Sequence, residues 1–225
     1  MKKYLLNVSV LALAVFFFSG AGEEINAPAA VVTKVVNTAQ YKSSAGKWVD
    51  LKTGQALSSE DMIKTSGKSL VVVKFTDNSV LKVRENSQVK ISTLKKDKNV
   101  SKTVDVDKGS VNASVTKQDQ QDFKFKSPTL VASVRGTSLL FGVGVDSTNI
   151  DLENGRLFCE AQLGKQESGD LNEQETVLVT PEGSFKPRQM TEEDKKRFKN
   201  SAKSNVKKVI LKTPQGDIVI EYLDN

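Results

Sequence analysis

Few residues of this 225-residue chain have the type and spacing to do chemistry. In Val104-Asp105-Val106-Asp107 the two acids stand two apart, which on a strand puts both carboxylates on one face. A carboxylate pair about 5–9.5 Å apart can hydrolyse glycosides without histidine. Clustered acids can also hold calcium, but the ligand spacing of an EF-hand loop is missing here. Two acids alternating along a strand are, more ordinarily, a solvated face. Cys159 lies in Arg156-Leu157-Phe158-Cys159-Glu160, where alternation predicts a strand and a small buried hydrophobe rather than a reactive thiol. A single Cys forms no internal disulfide and no multi-thiolate metal site. With 0 His, histidine triads, histidine bases and histidine metal ligands are all excluded. The expectation is a binding or scaffolding protein, not an enzyme, with no catalytic residue, metal or cofactor.

Whatever these residues do, short strands must position them. From Val31 onward, period-two runs separated by turn residues dominate. Leu70–Phe75 and Val80–Val83 flank Thr76-Asp77-Asn78-Ser79, a tight-turn sequence because Asp and Asn tolerate positive φ. Similar runs continue to residue 179. No long helical pattern lies between them, so a parallel α/β fold is excluded. The predicted class is all-β: a twisted β-sandwich or short β-solenoid of many short strands. Residues 95–102, polar and mostly basic, and residues 162–174 read as loops. At Thr191-Glu192-Glu193-Asp194 the pattern changes to a capping box, predicting one late α-helix through about residue 203. Its apolar positions are few (Phe198, Ala202), so weak packing is expected. Residues 207–212 and 217–222 flank Thr213-Pro214-Gln215-Gly216 and predict a C-terminal β-hairpin, either completing the main sheet or standing apart for strand addition.

The N-terminal residues bear on where the chain works. Lys2 and Lys3 precede an apolar run over residues 4–18, then small residues at 19–22 and Glu23-Glu24. That is the pattern of a secretory signal peptide, with cleavage expected after Ala21 or Gly22. Kept uncleaved, the same segment is an anchor, although it is shorter than the roughly 20 residues of a comfortable span. No cysteine lies near the exit, so a lipoprotein is not expected. The expected division is a signal peptide at 1–22, a linker and first strand at 23–34, a β domain at 35–185, and a basic helix plus hairpin at 186–225. Residues 186–208 hold nine basic residues against three acids, while 23–185 is balanced. This segment suits either an anionic membrane surface or a solvated helix face. Without interleaved aromatics to stack bases, nucleic acid is not an expected partner.

One ordered constellation names a family. Trp48, Leu51, Gly54, Leu57, Asp61, Ile63, Thr65 and Ser69 lead to Phe75-Thr76-Asp77-Asn78-Ser79 and Gly109-Ser110-Val111. Phe125, Ser127-Pro128-Thr129, Val131-Ala132, Val134-Arg135-Gly136-Thr137 and Asn154-Gly155 follow. Over residues 35–179 the chain resembles the FecR domain, the extracytoplasmic module of iron-uptake signalling regulators, and Val134-Arg135-Gly136-Thr137 is its most specific element. Asn78 departs from the glycine common there. The motif residues Trp48, Asp61, Thr65, Asp77, Arg135, Gly136, Thr137 and Gly155 are read as structural. Trp48 would anchor a core edge. Asp61 and Thr65 would hydrogen-bond backbone at the start of a strand. Gly54, Gly109 and Gly155 would serve turns or bulges, and Gly136 a close backbone approach. Alternation does not decide the face of Arg135; turned inward, it must meet a carboxylate or carbonyls. A tether is preferred there to a ligand contact. The iron-signalling branch carries a cytoplasmic segment acting on a sigma factor, and none is expected here ahead of the apolar run. What the resemblance then implies is a stand-alone exported module, periplasmic or at the cell surface, binding another envelope protein or cell-wall glycan.

Overall fold

The computed structural model describes residues 28–96, 99–117, 122–204, 206–213 and 216–223. The expected signal peptide at 1–22 lies outside these residues. Eight strands come first: β1 (Ala30–Val36), β2 (Ala39–Lys42), β3 (Val49–Asp50), β4 (Ala56–Leu57), β5 (Asp61–Thr65), β6 (Leu70–Phe75), β7 (Val80–Val83) and β8 (Gln88–Lys96). The long strand β9 (Asn99–Ser114) follows. After it come β10 (Phe123–Lys126), β11 (Leu130–Val134), β12 (Ser138–Val143), β13 (Thr148–Asn154), β14 (Arg156–Ala161), β15 (Ser168–Asn172), β16 (Glu175–Val179) and β17 (Arg188–Gln189). Helix α1 (Glu192–Ala202), β18 (Val206–Thr213) and β19 (Gly216–Leu223) complete the order.

Strands β1 to β17 form two facing sheets joined through β9. The first sheet runs β4-β1-β6-β7-β9-β12-β13-β16-β17. The second runs β3-β2-β5-β8-β9-β10-β11-β14-β15. Strand β9 is central to both: residues up to Lys108 pair with β8 in the second sheet, and residues from Gly109 pair with β12 in the first. Among the described residues only the β9–β10 pairing is parallel. Antiparallel pairing and two facing sheets make this the sandwich rather than a solenoid of stacked parallel coils.

Alternation explains the core. In β10 and β14 every second residue is buried, and the inward side chains of both sheets form one apolar cluster. Phe75 of the first sheet meets Phe123 of the second edge-on at 5.2 Å between ring centres. Phe125 then meets Phe141 of the first sheet at 5.6 Å. Burying such rings is the principal stabilising term available to a chain without disulfides.

The sheets are joined by corners with one shared conformation. Asn37, Gly54, Glu60, Lys68, Asn86, Gly109, Gly136, Gly155 and Gln174 have φ between 55 and 93°, and each lies where the chain steps from one sheet to the other. A single left-handed residue turns the strand sharply out of its sheet. At Gly109 (φ +85°) no side chain is possible, because a Cβ would stand 2.5 Å from Ser87 Cα. Ser87 closes that corner: the Ser110 N–H donates to Ser87 Oγ at 2.9 Å, and Ser87 Oγ donates to the Ser110 carbonyl at 3.1 Å.

Several features differ from the sequence reading. The loop expected at 162–174 contains β15, an edge strand whose one fully buried apolar side chain is Leu171. The loop expected at 95–102 largely continues the β8–β9 arms, with Lys102 buried. The hairpin β18–β19 takes the second of its two expected arrangements: it forms its own two-stranded sheet, unpaired with the main one among the described residues. Helix α1 carries the expected capping box between Thr191 and Asp194. Its packing is not weak: Phe198 joins Leu140 and Met190 in a second apolar cluster on the outer face of the first sheet. Among the described residues no helix is long and apolar enough to cross a membrane.

Candidate functional site

Most motif residues hold the frame. Asp61, 3% exposed, opens β5, and its Oδ2 accepts the Ser58 N–H at 2.8 Å. Burial pushes this carboxyl above its ordinary range, opposed by the Ser58 N–H. Thr65 Oγ1 donates to the Arg84 carbonyl at 2.6 Å and accepts the Ser87 N–H at 2.9 Å, stitching β5 to the β7–β8 corner. Asp77 Oδ1 accepts the Ser79 N–H at 2.9 Å within the β6–β7 turn. Its Oδ2 also meets Lys102 Nζ at 2.5 Å, both side chains almost wholly buried. A buried ammonium must be paired, so Lys102 belongs to the frame and not to a basic contact loop. Sequence reading saw only the turn.

Gly136 (φ +67°) carries the chain from β11 to β12, and a Cβ there would lie 2.8 Å from the Lys117 side chain. Thr137 is buried behind it. Its methyl fills the space beside Gly155, where a Cβ would stand 2.7 Å from Thr137 Cγ2. Thr137 Oγ1 is the one buried side-chain polar atom without a hydrogen-bond partner among the described residues. Trp48 is only half-buried, in the β2–β3 connection outside the core cluster. The expected core-edge anchor is therefore not what this residue forms.

Arg135 is different. It follows β11 directly and is exposed, continuing the alternation in which Leu130, Ala132 and Val134 face inward. It lines a groove of about 350 Å³ on the outer face of the second sheet, with Asp122, Ser133, Arg156, Phe158 and Asp170. Strand register builds this surface: Ser133 lies opposite Phe158 across β11–β14, and Phe158 opposite Asp170 across β14–β15. The Phe158 ring is 41% exposed. Arg156 donates to Asp170, which holds the Asp170 carboxyl below and the Arg156 guanidinium above their ordinary ranges. The groove thus offers an aromatic surface flanked by two guanidiniums, two carboxylates and a hydroxyl. Such a surface suits noncovalent recognition of a polar partner. Of these residues, sequence reading singled out Arg135 alone. The signal for Phe158 was present: with Leu157 and Cys159 inward, Phe158 must face out.

The residues weighed for chemistry have other engagements. Asp105 pairs with Lys90 at 3.5 Å, and Lys90 with Glu60 at 3.2 Å. Asp107 accepts from Gln88 Nε2 at 2.8 Å. Cys159 is buried, and desolvation pushes its thiol up to about 12, far from thiolate reactivity.

Residues 61–158 match the family described as FecR protein. No curated protein matches. Two crystal structures, each of a candidate anti-sigma factor from Parabacteroides distasonis ATCC 8503, match this chain in part. One has a TM-score of 0.49 at 12% identity, covering 57% of this chain and 59% of that one. The other has a TM-score of 0.52 at 11% identity, covering 68% of each.

Proposed function

We propose that this protein is an exported, non-catalytic sensing module of the bacterial envelope that recognises another envelope protein through the Arg135 groove. The observation that carries this reading is the placement of Arg135. The most specific element of the FecR pattern puts its charged residue on the open face of the sandwich, beside an exposed aromatic ring and a second arginine. Arginine and aromatic side chains are the usual anchors of protein interfaces. A cell-wall glycan is the second reading, favoured by the same ring and by Ser133, Asp122 and Asp170 at its edges.

The anionic-membrane reading of residues 186–208 loses weight. Arg188 and Arg197 are paired with Asp194 and Asp151, and Lys195 with Glu192. Export is checked by the mass of the chain recovered from the envelope fraction, which should begin at residue 22 or 23. Recognition is checked by cross-linking the processed chain to envelope extract and by sedimentation with isolated peptidoglycan. One should retain the wild type and lose it in Arg135→Ala and Phe158→Ala. Retention of neither, or equal retention of the variants, overturns the proposal. Turnover of a glycan or ester panel, lost in Asp105→Asn or Asp107→Asn, would overturn its non-catalytic part.

A further inference from the structure

The outer face of the first sheet carries a second candidate site. Helix α1 ends over this sheet, and the carbonyls of its last residue and of the two that follow receive cations from the strands below. Lys82 donates to the Ala202 carbonyl, Arg84 Nη1 to that of Lys203 at 3.1 Å, and Lys34 to that of Ser204 at 3.2 Å. Helix capping accounts for part of this arrangement, since a helix C-terminus carries about half a negative charge. Three full positive charges exceed it several-fold. Among the described residues none of the three makes an ion pair with a carboxylate, although the neighbouring Glu85 offsets part of the Arg84 charge. A half-buried guanidinium in this position lacks the counter-charge that burial demands.

Beside these cations a cleft of about 500 Å³ opens between α1 and the sheet, within the range of small-ligand sites. Its rim includes Arg84, Glu85, Asn149, Arg197 and Asn200, and its floor Leu140 and Gly142; the Glu85 carboxylate is engaged by the Lys68 N–H. Arg197 is already committed to Asp151 and Asp194. Among the described residues the Arg84 guanidinium makes the single hydrogen bond given above, so most of its donors remain for a ligand. Asn200 Oδ1 accepts from Lys203 Nζ at 3.1 Å, which leaves the amide NH₂ to donate. Gly142 keeps the floor open: a Cβ there would approach nothing closer than 3.9 Å.

We propose that this cleft binds a small ligand bearing a carboxylate or phosphate, with the oxyanion against Arg84 and Asn200 and an apolar portion on Leu140 and Gly142. The site lies on the opposite sheet from the Arg135 groove and stands or falls independently of it. Because its walls belong to both the sheet and α1, occupancy ties the helix to the sandwich.

The test is calorimetric titration of the processed chain with inorganic phosphate, acetate and hexanoate. Saturable binding of one anion per chain is expected, with hexanoate at least about tenfold tighter than acetate for its added methylenes. Saturation should raise Tm by about 2–4 °C and slow amide exchange in α1. Arg84→Gln should abolish binding of all three. Gly142→Leu, whose Cβ would meet nothing closer than the Asn149 carbonyl at 3.9 Å, should abolish hexanoate binding while leaving Tm without ligand unchanged. Absence of saturable binding to the wild type overturns the proposal, and so does undiminished binding by both variants. Binding to phosphatidylglycerol vesicles but to none of the free anions also overturns it, since that behaviour belongs to a charged surface.

Discussion

The two outer faces of the sandwich come from the same alternating pattern and end in opposite conditions. On the first sheet α1 lies across the strands, and Asp151, an outward residue of β13, is 0% exposed. Arg197 covers it through two hydrogen bonds of 2.8 and 2.7 Å, and Thr176 Oγ1 donates to it at 2.7 Å. On the second sheet the corresponding outward residues, among them Phe158, remain in solvent. Strand periodicity sets which side chains leave the core. It does not say what later arrives to cover them, and that decides whether an outward charge becomes a structural pair or a contact surface.

The hardest blow to this contrast is to the strand both sheets share. Gly109→Ala combines a left-handed φ with a clash against Ser87 backbone, and should cost about 3 kcal/mol or more. Urea unfolding followed by circular dichroism and Trp48 fluorescence should show one coincident transition shifted as a whole. Separate transitions for the two probes would mean that the sheets are not coupled through β9.

Arg197→Ala should come next, at about 3 kcal/mol, because it strips the cation from a wholly buried carboxylate. Hydrogen exchange should accelerate in residues 192–202 and stay unchanged in β10, β11, β14 and β15. Equal acceleration on both sheets would erase the distinction between the faces.

Acid sharpens the same contrast. Arg188, the Thr191 N–H and hydroxyl, and Arg197 hold the Asp194 carboxyl below its ordinary value, against the opposing effect of burial. A depressed folded-state pKa stabilises above the ordinary carboxylate value, and this stabilisation is lost as pH falls below about 4. Asp61, in the second sheet, carries the opposite sign: its pKa is raised, so its penalty at neutral pH disappears on protonation. Between pH 7 and 3, exchange protection of α1 should therefore fall well before that of β5. Loss of both at one pH would contradict these assignments.

The smallest effect on stability is expected where recognition is proposed. Arg135→Ala and Phe158→Ala should stay within about 0.5 kcal/mol of wild type in urea, as exposed residues do. A large loss from Arg135→Ala would instead restore the tether reading of that residue.

Much of this architecture is legible in the sequence. The alternating runs, the turn at residues 76–79, the capping box at Thr191 and the terminal hairpin are local signals, and each formed. What was not legible depends on partners distant in the chain. Lys102 reads as one of several exposed lysines until the turn bearing Asp77 is placed against it. Asp151 reads as solvated until a helix more than forty residues later covers it. The β15 sequence Ser-Gly-Asp-Leu-Asn has too few apolar residues for a period to show, and its register comes from β14. In the groove, one residue announced itself through a motif, whereas Arg156, Phe158 and Asp170 were brought beside it by pairing alone.

The central position of β9 bears on how the molecule is assembled. Residues 30–96 supply every strand on one flank of β9 in both sheets, and residues 123–189 every strand on the other. A chain delivered from its N-terminus can therefore complete one half and present β9 as a template with two open edges. The second half then grows onto that template rather than nucleating afresh, and it shields the exposed strand edges as it does so.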